Sequence, residues 1–201
     1  MINTSEDSKV KKSRNRLSGA LLSALFAALI SSAAFFCIPL PGGVPIVLQD
    51  MLALLSGLLL GPVWGSVSVF AFLVLGSIGL PVFSGKAGIM VIISGPTGGF
   101  LLGYLFAAFA GGLFLRIVLQ PSDNYGKKRK IVFCILAALI SETVLFTFGI
   151  LGFERIVGKG FDAAVNACVI PFIPGMIIKT SLNVVLAIMF RERVQRVINK
   201  R

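Results

Sequence analysis

The stretch "GIMVIISGPTGGFLLGYLF", Gly88 to Phe106, decides how the chain is read. Two apolar runs are interrupted by Ser94, Gly95, Pro96, Thr97, Gly98 and Gly99. A water-soluble protein would place those residues in a surface turn. Here the flanking runs are greasy enough to leave water. Non-helical backbone at membrane depth must be buried in protein or line a cavity, because lipid cannot satisfy its N–H and C=O groups. A glycine-rich stretch feeding a helix N-terminus also offers free N–H groups and a positive dipole end, which suits a carboxylate or a carbonyl. Gly95, Gly99 and Gly103 recur every four residues, which equally fits close helix packing. The residues alone leave both readings open.

Composition widens the same argument. Of 201 residues, 56% are hydrophobic and only 13% charged, about half the charged fraction of a soluble domain. One domain is expected. The chain has no His, which argues against a zinc enzyme or a His-based triad. Cys37, Cys134 and Cys168 show no CxxC spacing and read as small packing residues rather than a disulfide scaffold. No catalytic or metal-ligating set stands out, and no cofactor of the chain's own is implied. The nearest decoy for a nucleotide site is "GFERIVGKGF", Gly152 to Phe161. It has five residues between Gly152 and Gly158 where a P-loop has four, and Gly160 where Ser or Thr should stand. It reads as a solvated loop.

Six apolar segments are expected, near residues 17–38, 46–60, 66–80, 97–119, 131–151 and 164–190. They describe an all-α integral membrane protein, a compact bundle of six transmembrane helices over residues 17–190. Basic tails at 1–16 and 191–201 flank it. The connections are "PLPGGVP" (Pro39 to Pro45), a tight "GPVWG" turn (Gly61 to Gly65), a Gly-rich loop from Pro81 to about Gly95, and the polar loop "QPSDNYGKKRK" (Gln120 to Lys130). Spanning the hydrocarbon takes roughly 20 helical residues. The second and third segments are therefore short, and are expected to be tilted, kinked or only partly spanning. The first is too long for the core of a signal peptide and lacks an A-x-A site, so it reads as a helix of the mature chain.

The net charge of +11 is distributed by topology. Lys9, Lys11, Lys12, Arg14 and Arg16 border the first segment. Arg116 and Lys127 to Lys130 border the fourth and fifth. Arg191, Arg193, Arg196, Lys200 and Arg201 follow the sixth. No aromatic residues interleave with them, so nucleic acid is not the expected partner. With six spans, fifteen of these basic residues fall on one side and Lys86, Arg155 and Lys159 on the other. That bias puts both termini in the cytoplasm of a multi-pass protein of the cell membrane.

Ionisable groups at bilayer depth each need a reason. Lys179 lies near the midplane of the sixth segment. Glu142 lies at similar depth in the fifth, so the two either neutralise each other or leave Lys179 for a ligand carboxylate. Asn183 is one turn on from Lys179, on the same face. Gln49 and Asp50 open the second segment, as interfacial caps or as hydrogen-bonding groups at a cavity mouth. Gln49 is cheap to bury and suits an amide- or urea-like group. In the first segment, "ALLSALFAA" places Ala20, Ala24 and Ala28 on a smooth strip that another helix can approach, from this bundle or from a partner.

Four motifs occur in order: "PLPGGVPIVLQD", "GLPVFSGKAG", "ISGPTGGFLLGY" and "PFIPGMIIK". Together, from about Ala20 to Ala187, they resemble the BioY family, the biotin-binding S subunits of energy-coupling factor (ECF) vitamin transporters. The resemblance implies a six-helix subunit that captures biotin from outside. It then joins a transmembrane coupling protein and two ABC-type ATPases, which use the ATP, and topples in the membrane to deliver its cargo. It implies that Ala20, Ala24 and Ala28 dock on the coupling subunit. It implies a vitamin enclosed by Gln49, Phe83 to Lys86 (with Ser84), Gly95 to Gly99 and the Met176 to Lys179 turn; Glu142 and Asn183, from the reading of buried polar residues, are added to the candidate site. On this scheme Gln49 bonds the ureido group, Phe83 packs on the ring and Lys179 holds the carboxylate. Two departures stand out. Met176 replaces the Asp of a P-x-D-x-x-K pattern, and the polar residue expected near Ser84 or Gly85, often Asn, is missing. Lys179 is thus left either to Glu142 or without a counter-ion until a ligand arrives. The alternatives are an S subunit for a biotin precursor or related vitamin, and a solitary transporter working without ATPases.

Overall fold

The computed structural model of the chain describes residues 4–38, 44–119, 126–158 and 160–198, with side chains from residue 13 on and residue 38 by backbone alone. Most of the Pro39 to Pro45 connection, the Gln120 to Tyr125 part of the polar loop, Lys159, Lys200 and Arg201 lie outside the described residues, as do the side chains of Lys9, Lys11 and Lys12.

The chain is all-helical. Helix α1 is Thr4–Ser32, α2 Gln49–Leu60, α3 Pro62–Ser77, α4 Met90–Ile93, α5 Gly98–Val118, α6 Lys127–Val157, α7 Phe161–Cys168 and α8 Ile173–Ile198. Four stretches are long and apolar enough to cross a membrane, residues 13–35, 98–118, 127–157 and 161–198. Helices α2 and α3, of 12 and 16 residues, are apolar but shorter. At 1.5 Å per residue they reach about 18 and 24 Å, less than the ~30 Å of hydrocarbon.

Several expected boundaries move, each for a local reason. The basic segment before residue 17 has no helix breaker, and α1 runs through it from Thr4. The far end of α1 stops at Ser32, because the chain turns through a short 3₁₀ stretch, Ala33–Phe35, into strand β1, Cys37–Ile38. That strand pairs antiparallel with β2, Ile46–Val47, which takes the first residues of the expected second helix. The "GPVWG" turn shrinks to Gly61, whose φ of +86° only glycine adopts freely, and Pro62 opens α3 at its first position. "GFERIV" is the last turn and a half of α6 rather than loop, since Glu154 and Arg155 are good helix formers; only the turn after Val157 breaks it. The sixth apolar run is two helices. A 3₁₀ turn at Ile170–Phe172, carrying Pro171, separates α7 from α8.

Glycines set how close the helices come. Helix α2 sits in the middle of the bundle with ten of its twelve residues buried. A Cβ on Gly57 would lie 2.1 Å from the Ala108 carbonyl oxygen of α5, and one on Gly65 would lie 2.6 Å from Gly57 Cα. Helices α5 and α6 run antiparallel with Gly99 facing Gly152, where an added Cβ would meet backbone at 2.7 Å or less. These contacts need residues without side chains.

The two ends of the bundle differ in charge. One end holds the start of α1, the α2–α3 turn, the end of α5, the start of α6 and the end of α8. Trp64 packs on Gly19 there, Arg191 donates to the Leu58 carbonyl and Gln195 Nε2 donates to the Leu59 carbonyl at 2.8 Å. The last two contacts satisfy carbonyls that the end of α2 leaves open. All the described basic clusters belong to this end, where Lys130 also pairs with Glu192. The opposite end gathers the start of α2, the end of α3, the residues between α3 and α5, and α7.

Candidate ligand-binding cavity

Between α3 and α5 the chain first makes a two-residue hairpin. Phe83 and Lys86 exchange both backbone hydrogen bonds at 3.0 Å, with Ser84 (φ +52°) and Gly85 (φ +81°) at the tip. Positive φ at both central positions is the geometry of a tight hairpin turn, for which Asn-Gly is the usual pair and Ser-Gly a costlier one. Phe83 is seated on Gly76, where no side chain would fit, and meets Phe72 edge-on at 5.4 Å between centroids. The Gly88 N–H donates to the Gly76 carbonyl at 2.8 Å, and short helix α4 follows. The hairpin is thereby fixed against the end of α3.

A cavity opens beside it. Counting the open space at its mouth, it spans about 500 Å³. Gln49 and Asp50 of α2, Phe83 and Ser84 of the hairpin, Thr97 before α5, and Phe100, Leu101 and Tyr104 of α5 line it. Val44, Pro45, Val47, Leu145, Phe146 and Phe172 complete the wall. Phe100 and Phe146 meet edge-on with centroids 6.1 Å apart. Five aromatic rings and a few polar groups make a wall suited to a flat, mostly apolar ligand with a small number of hydrogen-bonding atoms.

The polar groups are held from several elements at once. Gln49, 1% exposed, donates its amide Nε2 to the Ile30 carbonyl of α1 at 3.1 Å and to the Val82 carbonyl at 2.7 Å. Its Oε1 accepts from the Ser84 hydroxyl at 3.4 Å. The amide hydrogens expected to meet a ureido group are therefore spent on joining α1, α2 and the hairpin. Lys179 leaves α8 toward the start of α2, where it pairs with Asp50 and donates to the Val47 carbonyl at 3.3 Å. The expected alternatives for Lys179 are corrected on this point. Its counter-ion is Asp50, not Glu142, and it does not stand uncompensated. Glu142 instead accepts from the Thr180 hydroxyl at 2.8 Å. Lys179 sits six residues into α8, about 9 Å from the start of that helix.

Of the expected site residues, Gln49, Phe83, Ser84 and Thr97 share the cavity wall. Lys86 is exposed on the hairpin, and Gly95, Pro96 and Met176 are half-buried outside the wall. Gly98 and Gly99 press on the Ile92 and Phe148 carbonyls, so they serve close packing. Asn183 is 1% exposed, and its Oδ1 has no hydrogen-bond partner among the described residues. Ala20, Ala24 and Ala28 all face outward from α1, while Gly19, Ser23, Phe26 and Ala27 of the same helix are buried. No group of three His, Cys, Asp or Glu able to hold a metal ion occurs among the described residues. The sequence reading left out Tyr104, Phe100 and Leu101. Their signal was present, since Thr97, Phe100, Leu101 and Tyr104 follow i, i+3, i+4, i+7 on one helical face. Leu145, Phe146 and Phe172 carried no such signal.

Comparison with known proteins agrees with this architecture. The chain resembles the probable biotin transporter BioY of Pyrococcus horikoshii, 36% identical over 174 residues that cover 87% of this chain and 94% of the relative. It resembles the biotin transporter BioY of Rhodobacter capsulatus, 39% identical over 169 residues, 77% of this chain and 83% of the relative. Its fold is similar to the crystal structure of an S-component for biotin from an ECF-type ABC transporter, with a TM-score of 0.74, 29% identity, and 96% and 95% of the two chains covered. The model of the BioY family matches residues 6–196. Over almost all of its length, then, the chain belongs to the BioY family.

Proposed function

We propose that this protein is the substrate-binding membrane subunit that captures biotin from outside the cell and delivers it through an ATP-driven ECF complex. The observation that carries the reading is the likeness, along 96% of the chain, to an S-component for biotin. The cavity gives it a physical basis. Its aromatic wall suits the apolar face of a bicyclic ring, and its lining residues gather at the end of the bundle away from the basic clusters. The positive-inside rule puts those clusters, and with them both termini, in the cytoplasm of a six-helix multi-pass protein of the cell membrane, so the cavity faces out. Lys179, with its partner Asp50, supplies the charged part of the site, supported by Gln49, Phe83, Ser84 and Thr97 from the wall. Lys86, Gly95, Pro96, Gly98, Gly99, Glu142, Met176 and Asn183 act around that wall rather than on it.

The exposed strip of Ala20, Ala24 and Ala28 is the surface on which a transmembrane coupling subunit docks, with two ABC-type ATPases behind it. Small side chains let a partner helix approach closely in lipid, where packing drives association. The chain then needs no nucleotide site of its own.

Mass spectrometry of the small molecule that co-purifies with the protein tests the ligand: biotin is expected, and a different vitamin would replace it in the reading. Ala24→Trp is expected to leave biotin binding intact and abolish co-purification with the coupling subunit. Full complex formation by that variant would remove the strip from the interface. Biotin uptake by the protein alone, in cells without a coupling module, would favour a solitary transporter.

A further inference from the structure

We infer that Asp50 is itself a ligand-binding residue, whose carboxylate, oriented by Lys179, accepts a hydrogen bond from a ureido N–H of the bound vitamin; this rests on the function proposed above. Among the described residues that line the cavity, Asp50 alone carries a charge. Lys179 does not line it, and stands behind Asp50 as its counter-ion. One Asp50 oxygen accepts from Lys179 and the other from the Met51 N–H at 2.7 Å. An ionised carboxylate offers about four acceptor sites, so capacity remains for a further donor. The side chain keeps 17% exposure, and Asp50 is part of the cavity wall. A ligand carboxylate placed here would meet a like charge at close range, whereas an N–H donor would find a charge-assisted acceptor. The other polar residues of the wall, Gln49, Ser84, Thr97 and Tyr104, are neutral and so weaker acceptors than a carboxylate. Gln49 Oε1 already accepts from the Ser84 hydroxyl at 3.4 Å, and Glu142 is engaged by Thr180 away from the wall. The acid that matters is thus on α2, and not on α8 beside Lys179.

The test compares two ligands on two proteins by calorimetry in detergent: biotin, and biotin methylated on each ureido nitrogen in turn. The wild type is expected to bind at least one methylated form ~10- to 100-fold more weakly than biotin, the scale of a lost hydrogen bond to a charged group. Asp50→Ala is expected to bind biotin more weakly and to discriminate less than about threefold between the ligands. A role confined to supporting Lys179 would lower both affinities together and leave their ratio as in the wild type. That result overturns the inference, as does a wild type indifferent to methylation. Should Asp50→Ala fail to fold, Asp50→Asn keeps the shape and weakens the acceptor; its ratio must also fall. A folded wild type that binds no biotin defeats the proposed function, and the inference with it.

Discussion

The two ends of this bundle are built on opposite rules. At the basic end, backbone meets backbone: Gly57, Gly65 and Gly112 remove the side chains between α2, α3 and α5, and Arg191 and Gln195 close the end of α2. At the other end, apart from the close approach of Gly99 to Gly152, short strands and a hairpin with positive φ at Ser84 and Gly85 border a cavity that large rings line. The polar groups there are tied across elements, with Gln49 bridging α1 and the hairpin and Asp50 bridging α2 and α8. The lesson is that one end supplies stability and the other supplies a preformed void, from the same apolar composition.

Substitutions at the two ends should separate these roles. The largest effect is expected at the closed end. In Gly57→Leu the new Cβ would fall 2.1 Å from the Ala108 oxygen, with no flexible side chain to yield. That exceeds the usual 1–3 kcal/mol of overpacking, and no monodisperse protein is expected on size exclusion. Monodisperse, biotin-binding Gly57→Leu protein would show that the backbone contact is not needed.

Arg191→Ala comes next. The residue is 8% exposed and caps the Leu58 carbonyl, so its loss leaves a buried acceptor open at a cost of about 1–3 kcal/mol. Thermal unfolding should fall accordingly while the biotin affinity of the folded protein stays unchanged. A large affinity loss would couple the two ends. At the open end, Gly85→Ala meets no neighbour within 4 Å among the described residues but must hold φ at +81°. It is expected to cost about 1–2 kcal/mol in stability through strain alone. The smallest effect is expected for Glu192→Gln. Its ion pair with Lys130 has side chains 36% and 55% exposed, so stability should shift by less than about 1 kcal/mol, and less at high salt.

How much of this was legible follows the same division. Features set by local chain chemistry were visible: the apolar runs, the Gly–Pro turns, the shortness of α2 and α3, and a lysine inside an apolar segment. Features set by rotation around the bundle were not. Residue spacing gives the height of Glu142 and Lys179 along their helices, and similar heights suggested a pair. It does not give the direction in which each side chain leaves its helix. Thr180, the residue after Lys179, turns about 100° away and meets Glu142, while Lys179 meets Asp50, 129 residues earlier in the chain. Likewise the unbroken hydropathy from Phe161 to Ile198 concealed the 3₁₀ turn at Pro171, although "PFIPG" carried the signal. Gln49 was recognised as important for its polarity in an apolar setting. That its amide ties three segments together depended on where α1 and the hairpin end.

The central claim is that an outward-facing cavity, with Lys179 and Asp50 at its charged side, binds biotin. Calorimetric titration of biotin into the purified subunit and its Lys179→Ala variant, both folded in the same detergent, tests it most directly. Saturable one-to-one binding by the wild type, weakened at least about tenfold in the variant, is the expected result. Equal affinities, or no heat of binding from a folded wild type, would contradict it.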